Sequence, residues 1–313
     1  MKPLISIVVP VYNEEGNVAN LYRELREVMD RFGEGYELIF VNDGSTDGTH
    51  TALSKLTGSI IVDLARNYGQ STALDAGFRA AKGEIIVSLD GDGQNDPHDI
   101  PKLLEALTDP DVDVVAGWRV ERKDRRGIRV LTVLGRRFRG WIIGDQIHDS
   151  GCTLRAYRRA AVESVDLFGE MHRFLLALFV WKGFRVIEIP VNHRSRKAGI
   201  SKYGYSKAVR AAIDMIYIWF LYRYSERPLH LFGYLGFTTF GLGLVSLGFT
   251  LHDKLALGLH LNRDGWFFLT FFFFIVAVIL FSFGLVIDLL MRIYTQTSPR
   301  EKRYHVRRTY TAS

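Results

Sequence analysis

Two runs almost free of charge, 229–251 and 266–290, set the first limit on what this 313-residue chain can fold into. Each exceeds the roughly 20 residues that a helix needs to cross a hydrocarbon layer of about 30 Å. Only His230 and Asp288 could carry charge within them near neutral pH, and both sit at an end. Phe267, Phe268, Phe271, Phe272, Phe273 and Phe274 make the second run apolar on every helical face, whereas a soluble surface helix keeps a polar side. The two runs predict a transmembrane hairpin.

The flanks predict its direction. Arg223 and Arg227 precede the first run, and Arg292, Arg300, Lys302, Arg303, Arg307 and Arg308 follow the second. The connecting segment 252–265 has Lys254 and Arg263 offset by Asp253 and Asp264. Cations collect on the cytoplasmic side of a membrane, so both termini are expected in the cytoplasm and the short loop outside, as in a two-span inner (plasma) membrane protein. The first apolar stretch, 4–11, is too short for a cleavable signal and runs into Asn13, Glu14 and Glu15. Cys152 is the only cysteine, which excludes an intramolecular disulfide and a cysteine metal cluster. A net charge of +6 suits contact with anionic lipid and polyphosphate, and no nucleic-acid module is recognisable, so no nucleic-acid partner is expected.

Before the hairpin the pattern changes to alternation. Short runs rich in Val, Ile and Leu at 5–11, 36–41, 60–64, 85–89 and 112–116 read as strands covered on both faces. Val18, Leu21, Leu25, Val28, Met29 and Phe32 fall on one stripe of a helix over 17–32, which Gly33 stops. A second helix is expected over 72–81, ended by Gly83. This order implies an α/β domain with a mostly parallel, Rossmann-like sheet. Ligands of such sheets lie beyond the carboxyl ends of the strands. The stretch 122–139 loosens into basic residues, and 203–224 reads as an amphipathic helix lying in the headgroup region before the first span.

The polar clusters fall at the strand ends. Leu89-Asp90-Gly91-Asp92-Gly93-Gln94 follows the fourth strand, and two carboxylates two residues apart there can point to the same side. They would make a hard oxygen site for Mg²⁺ or Mn²⁺, with water and phosphate completing the shell. At the second strand end stands Asn42-Asp43-Gly44-Ser45-Thr46-Asp47. Its acidic residue can accept hydrogen bonds from a base or ribose; alternatively the segment is a turn capped by Asp47 that starts the next helix. The first strand ends in Pro10-Val11-Tyr12-Asn13-Glu14-Glu15, where Tyr12 could pack on a base and Glu14 could bind a sugar or base edge. Arg66-Asn67-Tyr68-Gly69 closes the third. Four polar strand ends aimed at one crevice argue for a site more strongly than any one motif.

Together these segments resemble the family 2 glycosyltransferases of GT-A fold. The segments 148–159 and 196–203, and the ending Arg292-Ile293-Tyr294-Thr295, narrow the resemblance to polyprenyl-phosphate glycosyltransferases. That group includes dolichol-phosphate mannose synthases and the enzymes that load glucose or aminoarabinose onto undecaprenyl phosphate. The resemblance implies a GT-A catalytic domain over 1–202 and a juxtamembrane helix over 203–228. Spans at 229–251 and 266–290, a loop at 252–265 and a basic cytoplasmic tail over 291–313 would complete the chain. It also implies inverting transfer of a single sugar from a nucleotide-diphosphate sugar, UDP favoured, to a polyprenyl (undecaprenyl) phosphate. The product would serve cell-envelope glycan or lipid modification. Pro10, Tyr12, Glu14 and Asp43 would hold the nucleoside, with Asn67 and Gly69 in the same donor site. Asp90 would face the ribose or sugar, and Asp92 and Gln94 would ligate the metal. Arg119, Arg136, Arg196 and Lys202 would face the phosphates, with 196–202 closing over the donor. Asp149 would take a catalytic role beside Asp90 and Asp92.

Chemistry limits that last role. The attacking phosphate oxygen is already deprotonated near neutral pH, because a phosphate monoester has its second pKa near ~6. Asp149 is therefore expected to orient the acceptor or to stabilise charge at the sugar, with no need to remove a proton. A processive polysaccharide synthase would carry more spans and a Gln-x-x-Arg-Trp signature, both missing here. A non-catalytic nucleotide-sugar sensor would not need the Asp90/Asp92 pair. Gly233, Gly236, Gly241, Gly243 and Gly248 would permit close helix packing, including that of a homo-oligomer.

Overall fold

The computed structural model describes residues 4–120, 140, 147–167, 169–194, 216–217, 219–220, 223–224, 227–258, 260–261, 265–297 and 306–311. The chain divides into two units, Met1–Val209 with Lys302–Ser313, and Arg210–Glu301.

The first unit is built on one sheet. Its strands are β1 (Ile5–Val11), β2 (Tyr36–Asn42), β3 (Ile60–Leu64), β4 (Ile85–Ser88), β5 (Val114–Trp118), β6 (Arg155–Arg158), β7 (Val186–Pro190) and β8 (Val306–Thr311). They lie in the order β7-β5-β6-β4-β1-β2-β3-β8. The parallel centre is β4-β1-β2-β3. Strand β6 runs antiparallel between β4 and β5, and β7 lies parallel to β5. All seven residues of β1 are buried, as its run rich in Ile and Val requires, and the one hydroxyl in it, that of Ser6, donates to Glu37.

Among the described residues this unit also has helices α1 (Val18–Phe32), α2 (Thr49–Leu53), α3 (Gln70–Ala80), α4 (Ile100–Ala106), α5 (Arg159–Glu163) and α6 (Leu175–Trp181). The α1 stripe forms as expected, with Val18, Leu21, Leu25, Val28 and Met29 buried. Gly33 ends it at φ 83°, its N–H returning to the Met29 carbonyl. Helix α3 starts two residues before the expected 72, because Gly69, at φ 94°, turns the chain directly into it.

The tail contains a strand that local pattern does not reveal. Residues Val306–Thr311 pair antiparallel with β3, from Ile60 against Thr311 to Leu64 against Val306. With two adjacent arginines the stretch reads as a solvated tail; the open edge of β3 supplies the hydrogen-bonding partners that make it a strand.

The second unit is a pair of long helices, α7 (Pro228–Ala256) and α8 (Gly265–Thr297). Both are long and apolar enough to cross a membrane, with mean hydropathies of 1.4 over Pro228–Ala256 and 2.8 over Gly265–Ile293. They extend past the expected spans at both ends. Glycine lets them approach: a Cβ on Gly243 would stand 2.6 Å from the Phe274 ring, and one on Gly284 would stand 2.9 Å from Phe232 Cβ. Gly236 also faces α8, across from the Ala277 carbonyl. Of the five glycines expected to allow close packing, Gly236 and Gly243 therefore serve the hairpin itself, while Gly233, Gly241 and Gly248 have open space beside them. Ser246 and Thr270 hydroxyls both donate to the Trp266 carbonyl, so these polar groups are satisfied within the pair. Asp288 accepts from Arg292 one turn on, at 2.7 Å.

Candidate active site

The ends of β1 and β2 are stitched together by side chains. Asn13 takes a left-handed φ of 57°. Its N–H donates to Ser45 Oγ at 3.0 Å, and its Oδ1 accepts the Thr46 N–H at 2.8 Å. Thr49 Oγ1 accepts the Glu14 N–H, and Glu15 accepts the Gly48 N–H. Asp47 accepts from both the N–H and the hydroxyl of Thr49, so it is the turn-capping residue of this segment. Asp43, four residues earlier, points elsewhere.

Asp43 joins β2 to the end of β3. Its two oxygens accept the N–H groups of Tyr68 (2.7 Å) and Gly69 (2.9 Å). Burial raises its pKa, and these two backbone donors pull against that rise. Gly44 lets the two loops meet. It sits at φ 64°, and a Cβ there would lie 2.3 Å from the carbonyl carbon of Arg66. Gly44→Ala should therefore force the Asp43 and Arg66–Gly69 walls apart, beyond the ~1–3 kcal/mol that a left-handed non-glycine costs. Thermal unfolding together with nucleotide affinity checks this; both should fall.

The end of β4 brings the carboxylate pair. Asp90 accepts from Gln70 Nε2 at 2.6 Å, and Asp92 Oδ1 accepts the Gln94 N–H at 3.0 Å. Burial pushes the Asp90 pKa up to about 6, and the neighbouring Asp92 charge adds to that push. Gly91 packs against Val11, where a Cβ would stand 2.5 Å from Val11 Cγ1, so the ends of β1 and β4 touch.

These strand ends enclose a cleft of about 270 Å³. Pro10, Tyr12, Glu14, Asp43, Asn67, Gly69, Asp90 and Asp92, all expected at the donor site, line it. Gln70 lines it too, a residue that the strand-end pattern stops one position short of finding. Gln94 stands on the turn beyond, where its carbonyl accepts the Arg194 N–H. Arg136, Arg196 and Lys202 lie outside the described residues.

Asp149 and Arg119 come together apart from that lining. Arg119 Nε and Nη2 donate to Asp149 Oδ2 and Oδ1 at 2.7 and 2.8 Å; the Asp149 side chain is buried and that of Arg119 is largely covered. Arg119, expected to face phosphates, thus spends two donors on a carboxylate, although its charge still reaches Asp90. Glu188 of β7 holds this corner by accepting the N–H groups of His148 and Asp149. His148 also stacks on Trp118, with ring centroids 4.8 Å apart. Arg155, buried, braces the same loop from below through the Ser150 and Cys152 carbonyls.

Near Arg155, His172 Nδ1 lies 2.8 Å from Ser71 Oγ, and burial with the Arg173 and Arg155 charges drives its pKa down to about 3. A histidine kept neutral in the fold supports stability above its unfolded pKa near ~6.5; that support is lost as pH falls from there toward the folded value. Melting temperatures between pH 7.5 and 5 should therefore fall less steeply in His172→Gln than in the parent.

The donor set fits a hard divalent cation. Asp90 and Asp92 line one cleft together with Glu14 and Asp43, and burial followed by the Asp92 charge raises the Asp90 pKa, a setting that a cation beside the pair would relieve. Among the described residues no group of three His, Cys, Asp or Glu could hold a metal, so a closed protein cage is absent there. An incomplete oxygen set finished by phosphate and water is what Mg²⁺ or Mn²⁺ takes.

The parallel centre with its cleft beyond the strand ends, and the paired aspartates in it, define a nucleotide-binding Rossmann-like catalytic domain of GT-A type. The chain belongs to glycosyl transferase family 2, whose model matches residues 6–166, and it is a glycosyltransferase. It is 36% identical over 298 residues to the dodecaprenyl-phosphate galacturonate synthase of Rhizobium johnstonii, covering 93% of this chain and 88% of that protein. It is 35% identical over 320 residues to the undecaprenyl-phosphate 4-deoxy-4-formamido-L-arabinose transferase of an Enterobacter species, covering 97% and 93%. Among solved structures, the glucosyl-3-phosphoglycerate synthase of Mycobacterium tuberculosis, in complex with Mn²⁺, UDP and phosphoglyceric acid, shares the fold. Its TM-score is 0.56 at 20% identity, over 69% of this chain and 78% of that one.

Proposed function

We propose that this protein transfers a single sugar, with inversion, from a UDP-sugar to a polyprenyl phosphate of the undecaprenyl type at a membrane surface. One observation carries the reading: the nucleoside-facing residues and the Asp90/Asp92 pair line one cleft, in a chain that also has two membrane-length helices. The relatives support the acceptor, since their names specify dodecaprenyl and undecaprenyl phosphates. The structural neighbour supports a uridine donor and a divalent metal.

The residues divide the work. Tyr12, 43% exposed at the cleft, offers a ring face to the base. Asp43 fixes the Tyr68–Gly69 wall through its two hydrogen bonds and keeps lone pairs for the nucleoside. Asp90 accepts from ribose or sugar hydroxyls. Asp92 and Gln94 would hold Mg²⁺ or Mn²⁺, which supplies stabilisation of the negative charge gathering on the leaving diphosphate. Asp149, paired with Arg119, orients the acceptor or stabilises the positive charge developing at the sugar; it has no proton to remove.

Strand β8 bears on topology. It pairs with β3 in the unit that holds the cleft. That pairing supports the reading in which both termini share the cytoplasmic side, where cations flank the spans.

Purified protein in detergent, given Mn²⁺, a panel of UDP- and GDP-sugars and a short polyprenyl phosphate, should release nucleoside diphosphate in step with glycolipid. Full activity in excess chelator, or nucleotide release with no glycolipid, would sink the reading.

A further inference from the structure

The charges of two guanidiniums, those of Arg155 and Arg119, reach Asp90. Arg119 is matched, since both oxygens of Asp149 accept from its fork. Arg155 is held differently. It opens β6 opposite Ser88 of β4, so it stands beside the strand that leads into the aspartate pair. Its Nε donates to the Cys152 carbonyl and its Nη2 to the Ser150 carbonyl, both at 2.7 Å. A longer bond of 3.4 Å runs from Nη1 to the His172 carbonyl. The residue is 3% exposed, and among the described residues no carboxylate forms an ion pair with it.

Guanidinium groups are not deprotonated in proteins, so the charge persists in the fold. Carbonyl dipoles offset part of the cost of burying it. A carboxylate partner would offset more and would also cancel its field; here the field remains. We propose that Arg155 supplies the unmatched positive charge of the donor site, favouring the polyanionic sugar nucleotide across a short stretch of protein interior. The assignment rests on the reading of the cleft as a metal-dependent donor site. Arg155 is not part of the cleft lining, so it is a positioning residue that acts by its field and touches no reacting atom.

The sign separates this role from a structural one. The charge that attracts a diphosphate also repels a bare cation. Without it, metal alone binds more tightly and UDP more weakly, while uridine, which has no phosphate, binds as before. If Arg155 only braced the 150–152 loop, its loss would loosen the cleft and weaken all three.

The test compares the full-length protein in detergent with Arg155→Gln, which keeps an amide donor for a carbonyl and loses the charge. Mn²⁺ binding without nucleotide is read by electron paramagnetic resonance. Uridine binding, and UDP binding at saturating Mn²⁺, are read by calorimetry. In Arg155→Gln, Mn²⁺ affinity is expected to rise about fivefold and UDP affinity to fall about tenfold, the scale of one charge acting over several ångströms at intermediate dielectric. Uridine affinity should not change. Arg155→Lys keeps a cation and gives up the fork, so it should hold UDP affinity near the parent's; it is read at about pH 6, because a buried lysine sheds its proton more readily than arginine. That keeps the idea testable if Arg155→Gln folds poorly. Joint weakening of Mn²⁺, UDP and uridine in Arg155→Gln, no change in any of them, or a folded Arg155→Lys that loses UDP affinity to the same extent overturns the assignment while leaving the donor site in place. A parent protein that binds neither Mn²⁺ nor UDP overturns the donor-site reading and this assignment together.

Discussion

Asp92→Asn should lower sugar transfer by about three orders of magnitude, roughly 4 kcal/mol of transition-state stabilisation, with little change in the melting temperature. The substitution is nearly isosteric. The new amide oxygen can still accept the Gln94 N–H that Asp92 Oδ1 accepts now, so the turn after β4 should survive. What disappears is one of the two negative charges of the Asp90/Asp92 pair. The leaving diphosphate needs a cation beside it, and the described residues provide no closed metal cage to retain one when a carboxylate is lost. Rates measured at saturating donor across a wide Mn²⁺ titration separate weak metal binding from lost chemistry. A variant that reaches near-parental kcat at moderate Mn²⁺ would remove Asp92 from the mechanism.

Asp149→Ala should be the most destabilising single change at the site, by about 3–5 kcal/mol, because it strands a buried guanidinium. The Arg119 side chain is 13% exposed and that of Asp149 is 7% exposed. Burial alone would lower the Arg119 pKa, but the hydrogen bonds and charge of Asp149 outweigh it and hold that pKa above its ordinary value. Without Asp149 that support is lost, yet Arg119 stays charged because a guanidinium is not deprotonated in proteins. Replacing both residues with apolar side chains should cost less than Asp149→Ala alone, since no unpaired charge remains. Asp149→Asn separates function from folding: it keeps an acceptor for Arg119 and should fold, yet kcat should fall by about 10²-fold if Asp149 orients the acceptor. Unfolding temperatures of the three variants, with turnover of Asp149→Asn at saturating metal and donor, decide both points. Near-full turnover in Asp149→Asn would end the proposed role.

The donor wall is legible in the chain because each of its pieces is local. Tyr12, Asp43, Asn67 and Asp90 each follow a short apolar run, and a parallel sheet carries all such ends to one side. No long-range information is needed to bring them together. The grip of Gln70 on Asp90 spans 20 residues and that of Arg119 on Asp149 spans 30. Neither pair has a spacing that marks it. The sequence suggests a phosphate role for Arg119, yet its fork closes on Asp149 because β5 and the segment before β6 meet at that corner. Glu188 is less legible still: an acid on a half-buried strand gives no sign that it accepts the N–H groups of His148 and Asp149.

From the chain alone come the two long apolar runs, the parallel α/β domain and the four strand-end clusters. These depend on hydrophobic length, periodicity and the residue types at strand ends, all properties of contiguous segments. Only the tertiary structure decides that β8 pairs beside β3, that Gln70 donates to Asp90, and that Arg119 pairs with Asp149. Those outcomes depend on which hydrogen-bonding groups meet once distant strands lie side by side, and a linear order of residues does not contain that distance.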